Sequence, residues 1–187
     1  KSLFDENELA NYLKFNAKIL ANDHLAYDEL ENYDMMNVYV PFVNINNYIF
    51  ELFGEFIYKH SGTVMIESLL NSHVGNKKPV CYAHITETQM ELTVLSNKKL
   101  LLYNSHDFVT KEDFMYYLLF TLEQLQLDSA TVSLKLFGAI EEGDDLFSLC
   151  YQYVKDVSIF APTVPTIDFA LEETELETID FTVLSSL

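Results

Sequence analysis

The stretch YAHITETQMELTVLSNKKLLLYNS, residues 82–105, decides how this chain folds. Apolar and polar residues alternate through Met90, Leu92 and Val94, then again through Leu100 and Leu102. That is the period of strands with one buried face. Strands are expected over roughly residues 80–86, 89–96 and 99–107. The turns between them are too short for crossover helices, so the strands must be antiparallel neighbours. The first turn, Thr86-Glu87-Thr88, has no glycine, although turns of this kind hold a phosphate in some folds.

Downstream, Thr110 caps a helix whose apolar stripe is Phe114, Tyr117, Leu118, Leu122 and Leu125. TVSLKLFG is a continuous β-rich run, as in a strand covered on both faces. A helix from about Asp144 to Val154 buries Leu146, Cys150 and Tyr153, and VSIFAP gives a last short strand. The order is β-β-β-α-β-α-β. It predicts a mixed five-stranded sheet, three strands antiparallel and two parallel, with right-handed crossovers and Phe114 and Leu118 packed on it.

Upstream, VGNKKP (residues 74–79) reads as a hinge. Before it, Asp5 and Glu8 suggest a capping box, and Leu9, Tyr12, Leu13, Ala17 and Leu20 a helix over residues 5–20. MNVYVPF reads as a strand ending at Pro41, and NINNYIFELFG as a helix capped by Asn44 and stopped by Gly54. EFIYKH reads as a second strand, and SGTVMIESLLNS as a helix opened by Ser61. This α-β-α-β-α order is what a β-β-β-α-β-α-β-α unit leaves when its three-strand meander is removed. The chain reads as two copies of one α/β unit: 1–75, with its N-terminal strands missing, and 76–162. An acidic tail, 163–187, carries enough apolar residues to dock on the body. The start at Lys1, without an initiator Met, fits an expected missing N-terminal segment.

Composition narrows the function. Of 187 residues, 49% are hydrophobic, enough for a sizeable core. The net charge is −18, with 29 acidic residues against 11 basic ones, all of them Lys. Nucleic-acid binding relies on a basic surface, often with Arg, so this class is excluded. An anionic membrane surface is disfavoured for the same reason, and no apolar run is long enough to insert in a bilayer. Cys81 and Cys150 stand alone among apolar neighbours and read as buried free thiols of a cytoplasmic protein.

The two-unit order, with YLKFN, VYVPFVNINN, KHSGTVMIESLL and AHITETQMELTVLSNKKLLLYNS, resembles the actin-like ATPase superfamily. Its halves are ribonuclease-H-like, and it includes the FtsA and PilM proteins. The phrasing is closer still to an uncharacterised bacteroidete family of unknown function. In active members of the superfamily, the first hairpin of the second unit carries Asp-x-Gly-x-Gly-Thr, whose glycines let backbone N–H groups approach phosphates. The resemblance places His84 at the Asp, and Thr86 and Thr88 at the two glycines. Gly138 alone answers the paired glycines of the adenosine side, followed by four acids, Glu141, Glu142, Asp144 and Asp145. Side chains at these positions obstruct close phosphate approach.

Other chemistry is poorly supported. His84 and His106 have no third metal ligand at a matching spacing. Glu87 and Glu91 do not make a two-metal nuclease site, because PVCYAHI and TVSLKLF contribute no carboxylate. The expectation is therefore a cytoplasmic, catalytically inactive actin-like protein without a cofactor. It would work through a protein partner or self-association, the strand edge around Val38–Val40 and Phe56–Tyr58 being open. The alternative is an ATPase whose first phosphate loop lies in the missing N-terminal segment.

Overall fold

The computed structural model describes residues 2–30, 32–73 and 78–161. The expected tail and most of the expected hinge lie outside them. The chain divides into two compact units, Lys1–Glu67 and Ser68–Leu187.

The second unit follows the alternation of its sequence. Strands β3 (Val80–Ile85), β4 (Gln89–Ser96) and β5 (Lys99–Asp107) precede helix α4 (Lys111–Gln124), strand β6 (Ser133–Gly138), helix α5 (Asp145–Tyr153) and strand β7 (Asp156–Ile159). They form one five-stranded sheet in the order β5-β4-β3-β6-β7. β3, β4 and β5 pair antiparallel, whereas β6 lies parallel to β3 and β7 parallel to β6. Asn97 and Lys98, both at positive φ, make the two-residue turn between β4 and β5. Thr110 and Asp113 close a capping box at the start of α4.

One face of the sheet is the core. Cys81, Ala83, Leu92, Val94, Leu134 and Leu136 meet Phe114, Leu118 and Leu122 of α4 and Cys150 of α5. Both cysteines are free and buried, and burial pushes each thiol up to about 12.

The first unit departs from its expected order. The helix over 5–20 is only a 3₁₀ turn, Glu6–Glu8, and α1, Leu9–Leu13. Past Leu13 the apolar stripe finds little to pack on among the described residues: Ala17 is exposed and Leu20 is 59% exposed. The strand at Met35–Tyr39 (β2) forms, but it pairs antiparallel with Ala26–Leu30 (β1), which the sequence did not announce. β1 was hidden because Asp28, an acid, alternates inward with Leu30. EFIYKH is not a strand; residues 55–59 run without a backbone hydrogen bond among the described residues. Helix α2 (Val43–Phe53) starts one residue before the expected cap Asn44 and stops at Gly54, whose φ of +80° suits glycine. Helix α3, Ser61–Ser72, lies where expected.

Asp28 explains the start of α3. Its carboxylate accepts the His60 N–H (2.8 Å), the Thr63 hydroxyl (2.6 Å) and the Tyr39 hydroxyl (2.9 Å). A buried acid from β1 thus caps the helix, where the positive end of the dipole favours it. Burial first, and Asp28 second, hold the Tyr39 phenol well above its usual range.

Candidate functional site

The β3–β4 hairpin is where the sequence places altered phosphate chemistry. Its turn is closed on itself. The Thr86 N–H donates to the Gln89 carbonyl (2.9 Å), and the Gln89 N–H donates to the Thr86 hydroxyl (3.1 Å). The Thr88 carbonyl accepts the Phe108 N–H at the end of β5 (2.9 Å). Of the four amides from Thr86 to Gln89, two therefore have partners within the turn. The exposed tip between them carries Glu87, a like charge to any phosphate.

His84 leaves β3 on the face opposite the core, because Cys81, Ala83 and Ile85 take the other. It is 5% exposed, and its Nδ1 lies 2.9 Å from Glu91 Oε2. Its ring stacks on Phe137 with centroids 5.0 Å apart. Glu91 Oε1 accepts the Tyr103 hydroxyl at 2.5 Å. Burial first, then Glu91, holds that phenol far above its usual value. A chain of hydrogen bonds thus crosses the three strands His84–Glu91–Tyr103, and both carboxylate oxygens of Glu91 are taken. On the same face the Thr93 hydroxyl is buried without a hydrogen-bond partner among the described residues.

Gly138 ends β6 at φ +92°, directly beside Ile85 in the register. A Cβ there would stand 2.3 Å from the Ile85 carbonyl oxygen and 3.0 Å from the His84 ring. Close approach of two strands is reason enough for this glycine. The structure therefore brings His84 and Gly138 together at one end of the sheet, with Thr86 and Thr88 in the adjoining turn.

His106 does not join them. It pairs with Met90, on the core face, and stacks on Tyr117 at 4.4 Å. His84 and His106 therefore leave opposite faces of the sheet. Among the described residues no three His, Cys, Asp or Glu side chains gather to hold a metal ion. Neither Tyr103 nor Phe137 was anticipated from sequence. Their partnership with His84 depends on strand register, which local patterning does not display.

The order β5-β4-β3-β6-β7, with a hairpin and a glycine at one end, can be set against known proteins. A family model described as protein of unknown function, DUF3822, matches residues 1–157. The chain belongs to that family. A solved Bacteroides thetaiotaomicron protein with an actin-like ATPase fold and unknown function superposes on this DUF3822 chain with a TM-score of 0.77. The two are 21% identical, over 85% of this chain and 62% of that one. The DUF3822 chain thus has the actin-like ATPase fold and spans less than two thirds of that relative. Two foamy viral protease-reverse transcriptase structures with double-stranded DNA align at TM-scores of 0.32 and 0.28. Their identities are 12% and 18%, over 74% and 66% of this chain and 29% and 35% of theirs. No curated protein matches. Among the described residues no helix is long and apolar enough to cross a membrane.

Proposed function

We propose that this DUF3822 chain is a cytoplasmic, non-catalytic actin-like module that works by binding protein, its phosphate hairpin having been turned to structural use. The observation that carries this reading is the closed turn. The Thr86 and Gln89 amides are spent inside the hairpin, where active members leave backbone donors for phosphate. Three further features support it. His84, at the position of the metal-managing acid, is locked between Glu91 and Phe137. Thr86 and Thr88 put a Cβ where phosphate must approach, and Gly138 is accounted for by strand packing.

The two-unit reading of the sequence belongs to the same proposal. Residues 76–162 would be one ribonuclease-H-like unit, and residues 1–75 a divergent partial copy. The actin-like fold of the Bacteroides protein supports the pairing of units; the β1–β2 hairpin marks the divergence of the first.

Calorimetric titration with Mg·ATP tests the proposal. No heat and no thermal shift are expected up to millimolar nucleotide. Micromolar binding would overturn it in favour of a nucleotide-binding ATPase.

A further inference from the structure

Residues Glu55–Lys59, EFIYK, have the composition of a strand and, among the described residues, no strand to join. Among the described residues, no hydrogen bond of their backbone is formed in the protomer. Ile57 is 95% exposed, and the neighbouring Phe53, closing a helix with no buried residue, is 78% exposed. The segment forms one wall of an open groove of about 870 Å³, whose other side includes Pro41, Val43 and Phe50. A helix apolar on several faces and an unpaired β-rich segment together call for a cover.

The chemistry of the five residues says what that cover is. Read outward from Ile57, they run acid, aromatic, aliphatic, aromatic, base. Two copies laid antiparallel about a twofold axis at Ile57 set Glu55 opposite Lys59 of the second copy, and Lys59 opposite its Glu55. Phe56 falls opposite Tyr58, and Ile57 opposite itself. Each cross-strand pair is then of a favourable type: two opposite-charge pairs, two aromatic pairs and one aliphatic pair. A parallel arrangement would instead bring like charges side by side. Within the protomer Lys59 already meets Glu67 at 3.2 Å, but both side chains are partly exposed and such a pair is weak.

We propose that Glu55–Lys59 is a self-complementary docking strand, through which two copies of this chain pair antiparallel about a twofold axis. The contact is isologous, so it closes as a dimer and does not propagate. A two-stranded ribbon alone is marginal in water, so burial of Phe53, Ile57 and Tyr58 at the junction supplies the rest. This inference deepens the interaction-module reading and rests on it.

Light scattering over a concentration series, on the full chain and on charge-exchanged variants, tests it. The native chain should rise toward twice the protomer mass. Glu55→Lys or Lys59→Glu, each placing like charges opposite one another at two points, should weaken association by about tenfold or more. An equimolar mixture of the two variants should recover association, because each then meets the opposite charges. The doubly exchanged chain, Glu55→Lys with Lys59→Glu, should recover it alone. Matching thermal midpoints will establish that the variants are folded. A native chain monomeric at every concentration overturns the pairing, as does a mixture no better than its components. Protected amides at residues 55–59 in a monomer would overturn it too, by assigning the strand a partner within its own chain. Mg·ATP titration of the same samples reads separately: nucleotide binding would remove the module reading while leaving the dimer measurement intact.

Discussion

A Cβ at Gly138 would lie 2.3 Å from the carbonyl oxygen of Ile85, at a φ that side chains rarely adopt. Gly138→Ala must therefore push β6 away from β3 and should cost about 3 kcal/mol, from overpacking together with left-handed strain. Denaturant unfolding checks this, and a change near zero would return the glycine to a ligand-binding role. His106 makes a prediction of a different kind. Its Nε2 is buried without a hydrogen-bond partner among the described residues, and burial holds its pKa below the usual value. The unfolded chain, with an ordinary histidine pKa of about 6.5, binds the proton more readily. Stability is then retained above that value and falls as pH drops through it toward the lower folded pKa. The thermal midpoint should decline from pH 7 to pH 5.5 more steeply in the native chain than in His106→Phe. Equal slopes would show that His106 is not the group responsible.

At the scale of elements, α4 is the helix on which the second unit depends. Leu118 is fully buried against the sheet, so Leu118→Ala should cost about 2–5 kcal/mol in chemical unfolding. A negligible cost would contradict the helix register. That register was legible in the sequence, as were β3, β4, β5, β6 and β7, because short turns and regular alternation leave few other pairings. In the first unit β2, α2 and α3 were legible but the strand pairing was not, for two physical reasons. β1 carries Asp28 on its buried side, which breaks the apolar period that reveals strands. EFIYK has strand composition but no neighbouring strand among the described residues, and strand preference records the fit to neighbours more than the backbone. The candidate site was half visible. The loss of glycine at Thr86 and Thr88 stands in the sequence, whereas the His84–Glu91–Tyr103 chain exists only once β3, β4 and β5 are in register. The outer edge, β5, shows a further device. Its register with β4 shifts near Leu101, and the Ser105 N–H is taken by the Asn104 side chain at 2.9 Å. An irregular edge with an occupied donor discourages strand addition, which leaves EFIYK as the better candidate for pairing.

Across the whole molecule, the acidity has a plain physical role. A net charge of −18 keeps separate copies apart at long range, so any pairing must be short-ranged and charge-matched, as Glu55 and Lys59 are. The actin-like fold is retained, and its β3–β4 hairpin is closed on itself at Thr86 and Gln89. The two sealed sulfurs turn the second unit into its own clock. Cys81 on β3 and Cys150 on α5 sit in one core, each with a thiol pushed up to about 12, so neither reacts while that core is shut. Alkylation in native buffer should proceed only as often as the unit opens, and both cysteines should be labelled at the same slow rate. Faster labelling of one would mean that α5 lifts away from the sheet alone, and the ticking of the other would still time the whole.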